Sequence, residues 1–167
     1  MYGKNAWKDY SLETLDAVMD FAEEYKEFIS IGKTEREFVK LAIKEAEKRG
    51  FYDIKDYKSL KKGDKVYVTN KGKNIALFVI GNQQISSGLR VLGAHIDSPR
   101  MDLKQNPLYE STGFALLDTH YYGGIKKYQW VTIPLALVGV VCLKDGTVVD
   151  INIGDNPEDP VVGISDL

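Results

Sequence analysis

Apolar residues in the first third of the chain recur at helical spacing. Leu12, Leu15, Val18, Met19, Ala22, Tyr25, Phe28 and Ile29 share one face of a helix over residues 12–29, acids gather toward the outer face, and Ser11 stands where an N-cap is needed. Gly32 breaks that pattern. Thr34-x-x-Glu37 then forms a capping box ahead of Phe38, Leu41, Ala42 and Ala46, and Arg49-Gly50 closes this second helix with a basic last turn and a C′ glycine. From Lys65 the period changes to that of strands. Val66-Tyr67-Val68-Thr69 and residues 75–80 flank Asn70-Lys71-Gly72-Lys73, which predicts a hairpin. Residues 81–88 are a polar loop, and Leu89-Arg90-Val91-Leu92-Gly93-Ala94 is a short apolar run of the kind found in a strand buried on both faces.

Beyond Pro99 the character shifts again. Residues 113–118, a Gly123-Gly124 turn, and residues 130–143 joined by Asp145-Gly146 to residues 147–153 predict antiparallel hairpins with no helix between them, so a second, all-β module begins near residue 103. Residues 155–160 form a proline-punctuated acidic loop. The sequence stops at Leu167 just after an apolar stretch, which reads as a truncation.

Charge and composition remove several classes of function. Lys and Arg number 22 against 24 Asp and Glu, giving a net charge of −2 with no basic run, so the footprint of a nucleic-acid partner is missing. No apolar run is long enough for a membrane span, and the first nine residues lack the pattern of a signal peptide. A single cysteine, Cys142, excludes an internal disulfide framework and suits the cytoplasm; it reads as a buried small hydrophobe. Trp7, Tyr10, Phe21, Tyr25 and Phe28 read as core packing.

The candidate chemistry lies in Gly93-Ala94-His95-Ile96-Asp97-Ser98-Pro99. A His-x-Asp leaving a strand places an imidazole where sheets bind ligands, and a neutral imidazole whose other N–H meets a carboxylate is a good zinc ligand. His95 is then the ligand and Asp97 the residue that orients it. A bare His-x-Asp is common, and on spacing alone a histidine that merely caps or packs at a strand end is the better reading. Asp118-Thr119-His120 imitates a metal pair but sits in the predicted β module, where a structural or interface role suits it better. Gly123-Gly124 lacks the helix start that would hold phosphate.

The surroundings of His95 narrow this choice. Val91-Leu92-Gly93-Ala94-His95-Ile96-Asp97-Ser98-Pro99-Arg100 resembles the first metal-binding segment of the aspartyl aminopeptidase and aminopeptidase I family of zinc metallopeptidases. The likeness extends through the paired N-terminal helices, the hairpin from Tyr67 to Ile80, and Tyr122-Gly123-Gly124 followed by Trp130. It implies an α/β fold, the N-terminal part of a zinc-peptidase α/β domain with mixed sheet over residues 1–102, followed by the start of an inserted all-β dimerisation domain over residues 103–167. It also implies two zinc ions per complete active site, with His95 as the first ligand and Asp97 the acid that orients it. The implied activity is release of N-terminal residues, often acidic ones, from peptide substrates by a homo-oligomer built of dimers up to a dodecamer. The family's other ligands and its general base have no counterparts in this chain. Lys126-Lys127-Tyr128 departs from the commoner family pattern, which expects a third glycine, so the acidic preference does not carry over through those residues. The competing reading from another class is a non-catalytic β-rich interaction module built on a peptidase scaffold.

Overall fold

The structure is a computed structural model that describes Gly3 and residues 5–165. Met1, Tyr2 and Lys4, on which the signal-peptide reading partly rests, and the Leu167 end read as a truncation lie outside the described residues. The chain divides into two compact units, Met1–Ile96 and Asp97–Leu167.

The first unit is built from two helices and a small mixed sheet. After a 3-10 turn at Ala6–Lys8, helix α1 spans Leu12–Ile31 and helix α2 spans Glu35–Lys48. Ser11 caps α1 through Thr14, and Thr34 and Glu37 form the full reciprocal box at the start of α2. The exit of α2 is a Schellman turn. Gly50, at φ +78°, donates to Glu47 and Phe51 donates to Ala46. Strand β1 (Tyr52–Asp53) pairs in parallel with β2 (Lys65–Asn70), which pairs antiparallel with β3 (Asn74–Val79). Lys71 and Gly72 both take positive φ in the connecting turn, as a tight hairpin requires.

Helix α2 lies on this sheet and supplies its core. Val39 and Ala46 from the helix and Val66 and Tyr67 from β2 are the buried side chains among the described residues, and Val66 alone has no exposure. Polar bonds fix the packing at its edges: Arg36 Nη1 donates to the Lys71 carbonyl, Tyr67 Oη to Glu47 Oε1 and Lys65 Nζ to the Arg49 carbonyl. Phe28 of α1 meets Phe38 of α2 edge to face at 5.2 Å. The aromatic core read from the sequence holds only for Phe28: Trp7 and Tyr10, which precede α1, are exposed, and so are Phe21 and Tyr25, because α1 buries only part of its apolar stripe against α2.

The apolar run over residues 89–94 is not a strand. It follows a 3-10 turn at Ile85–Ser87, carries no ladder pairing, and leaves Leu92 fully exposed. A two-faced buried strand exists only through neighbours on both edges and a layer on each side, and no described strand pairs with these residues.

The second unit consists of two antiparallel hairpins. Strands β4 (Arg100–Ser111) and β5 (Phe114–Tyr122) turn through Thr112 and Gly113 at positive φ, with an irregularity between Leu103 and Leu108. Strands β6 (Leu137–Cys142) and β7 (Val148–Ile153) turn through Asp145 and Gly146; the Asp145 carboxylate accepts the Thr147 amide, and that bond holds it below the usual carboxylate range. A 3-10 turn at Lys127–Gln129 is the one helical piece between them, and residues 130–136, read as strand, are mostly irregular. No layer covers either hairpin within the unit, so Cys142 is exposed rather than buried.

Candidate functional site

His95 sits in irregular chain at the end of the first unit and is exposed. Its position at the mouth of a buried strand, expected from the sequence, is therefore not what the fold provides, because no described strand pairs with residues 89–94. Asp97, half-buried, opens the second unit.

Local pairing explains how Asp97 is held. The β4–β5 ladder sets Arg100 opposite Tyr122, which brings Tyr122, 25 residues distant in sequence, beside the start of the strand. Tyr122 Oη donates to Asp97 Oδ2 at 3.1 Å. The Arg100 guanidinium lies 3.9 Å from the centre of the Tyr122 ring, a close cation–π contact. Arg100 in turn donates from Nε to Asp102 Oδ1 at 2.7 Å, and from Nη2 to Asp102 Oδ2 at 3.4 Å. Residues two apart on a strand share a face, so the Arg100–Asp102 pair follows from the pleat. Gly123, at φ +77°, lets the chain leave β5 against Pro99, whose Cα would lie 3.7 Å from an added Cβ. Sequence reasoning named His95 and Asp97 and missed Tyr122, Arg100 and Asp102 as members of the cluster. The motif Tyr122-Gly123-Gly124 was visible, but nothing in its spacing told which side chain its tyrosine reaches.

His120 is the register partner of Asp102 on β5 and so lies on the same face as this cluster, with Nδ1 3.4 Å from the Tyr121 carbonyl. Neighbouring Asp118 pairs with Lys104 at 3.0 Å, which turns that carboxylate toward a cation of the protein.

A zinc ion in a catalytic site needs about three protein donors. Among the described residues no three His, Cys, Asp or Glu side chains gather as such a cage. The donors among the described residues do not by themselves fit the ion.

Comparison with known proteins supplies the wider context. The family described as aminopeptidase I zinc metalloprotease (M18) matches residues 28–167. A protein of Clostridium acetobutylicum named "Probable M18 family aminopeptidase 1" is 54% identical over 168 residues, covering 98% of this chain and 36% of the relative. The crystal structure of aminopeptidase I from Borrelia burgdorferi superposes with a TM-score of 0.92 at 44% identity, covering 98% of this chain and 41% of that one. That of an M18 aminopeptidase from Thermotoga maritima superposes at 0.90 with 46% identity, over 100% and 36% of the two chains. The chain thus spans little more than a third of the length of the relatives it matches. Across that span both sequence and fold agree, and the chain belongs to the M18 family of aminopeptidases.

Proposed function

We propose that this chain is the amino-terminal portion of a metal-dependent aminopeptidase that releases N-terminal residues from peptides. The observation that carries the reading is the match to the M18 family through residues 28–167, a span that includes the His95-Ile96-Asp97 segment. In this reading His95 is the metal ligand the chain contributes, and Asp97 accepts the other ring N–H, fixing the tautomer that leaves a lone pair for the ion. The complete site holds two zinc ions. Its remaining donors and general base belong to the part of the relatives that has no counterpart here. An exposed ligand in irregular chain fits this division, since an apolar run such as residues 89–94 becomes a strand only when neighbours pair with it.

Residues 1–102 then begin the catalytic domain, and residues 103–167 begin an inserted β-rich dimerisation domain. Leu108, Phe114, Val148 and Val161 are exposed on this second part, and uncovered apolar side chains of this kind suit burial against another copy in a homo-oligomer. Among the described residues no helix is long and apolar enough to cross a membrane. The alternative, a non-catalytic interaction module, draws no support from relatives that are named aminopeptidases.

The test compares two proteins. The 167-residue chain alone is expected to show no chelator-sensitive release of N-terminal amino acids from acidic or neutral peptides. The chain extended through the remaining length of its relatives is expected to show it. Chelator-sensitive turnover by the short chain, or none by the extended protein with added zinc, would overturn the proposal.

A further inference from the structure

We infer that Tyr122 is a positioning residue for Asp97, and that Arg100 and Asp102 lock Tyr122 in place. The inference rests on the proposed role of Asp97 toward His95 and extends it to residues that no motif assigns. An aspartate side chain rotates about two torsions, and its carboxylate can orient an imidazole only if those torsions are fixed. Here the Tyr122 hydroxyl donates to Oδ2 at 3.1 Å. A carboxylate offers about four acceptor positions, so this bond sets its rotation while leaving capacity to accept a ring N–H.

Tyr122 is itself held from behind. Its register partner Arg100 covers the ring at 3.9 Å, and the Arg100 fork is fixed by Asp102 through Nε at 2.7 Å. Arg100 and Asp102 are about two-thirds buried, which keeps solvent from competing fully for either bond. The four side chains therefore form a relay from the β4–β5 ladder to the carboxylate, all within the second unit. The pair of hairpin strands gives Asp97 a rigid reference although Asp97 itself lies outside any strand.

The readout is the tautomer of His95 in the 167-residue chain, measured from ring 15N shifts at a pH about two units above the ordinary imidazole range. The chain has two histidines, so His120→Gln assigns the signals. Asp97→Asn should abolish the tautomer bias. Tyr122→Phe, which keeps the ring under Arg100, should reduce the tautomer ratio by about threefold or more, a fraction of the 10–100-fold typical of groups that contact a ligand directly. In the Asp97→Asn background, Tyr122→Phe should add nothing, which a merely structural role would not produce. Arg100→Gln should act in the same direction more weakly, and it decides the matter if Tyr122→Phe loses the hairpin resonances. No change with Tyr122→Phe (or with Arg100→Gln in that case), while Asp97→Asn shifts the ratio, would overturn the inference alone. No change with Asp97→Asn would overturn the role of Asp97 and the inference with it.

Discussion

Replacing Val66 with alanine tests whether the core lies where the structure puts it. Val66 is the one side chain with no exposure, set between β1 and β3 by its register partners Tyr52 and Phe78 and covered by α2. Truncation removes two methyl groups, about 1.6 kcal/mol at ~0.8 kcal/mol each. A residual cavity of about 40 Å³ adds about 1 kcal/mol at ~24 cal/mol per Å³, for a total near ~2.5 kcal/mol. In a unit of this size that lowers Tm by about 10 °C or more. Leu92→Ala is the matched control. A buried central strand over residues 89–94 would make it cost as much as Val66→Ala, whereas full exposure of Leu92 predicts a change within about 0.5 kcal/mol. The assay is urea and thermal unfolding followed at the helical circular dichroism band, which reports the first unit because both α-helices lie in it. A cost below about 1 kcal/mol for Val66→Ala, or an equal cost for Leu92→Ala, would refute the reasoning.

The Tyr67 hydroxyl is pushed up to about 12 by burial and then by its bond to Glu47, so the folded chain keeps a proton that the unfolded chain releases near pH 10. Its contribution is complete below pH ~10 and lost as pH rises toward 12; urea unfolding at pH 9 and pH 11 should show a fall that Tyr67→Phe reduces. Thr34→Ala removes one half of the capping box and should cost about 1 kcal/mol in the same unfolding assay. Gly154→Ala should open the Leu135–Val162 bridge, since an added Cβ at φ +111° would meet Ala136 Cα and the Leu135 carbonyl at 3.0 Å. Amide exchange at Leu135, which now donates to Val162 at 2.8 Å, should accelerate about tenfold or more.

Features decided within a few residues were legible in the sequence. Ser11, Thr34 with Glu37, and Gly50 mark the helix ends because each satisfies backbone groups that the helix itself leaves open. Asn70 to Lys73 and Asp145-Gly146 mark turns because tight hairpins demand residues tolerant of positive φ. Features decided by distant partners were not. The two-residue strand β1 exists only through its parallel pairing with Val66 and Tyr67, and residues 89–94 have the composition of a strand without the partners that make one. Cys142 does end a strand, β6, yet its burial depends on a covering layer that the second unit lacks. At the candidate site, His95 and Asp97 were readable because they are two residues apart in a recognisable segment. The bond from Tyr122 to Asp97 crosses 25 residues, and only the β4–β5 register brings the two together.

The central claim is that His95 binds the catalytic metal of a larger peptidase, and one measurement reaches it directly. The protein extended through the remaining length of its relatives is purified as parent, as His95→Ala and as Asp97→Asn. Zinc content and release of the N-terminal residue from a peptide are then measured on each. The account predicts that His95→Ala loses at least one zinc per chain and nearly all turnover while its circular dichroism stays that of the parent. Asp97→Asn should retain the ion with affinity reduced about 10–100-fold. Parental zinc content and turnover in His95→Ala would contradict the account.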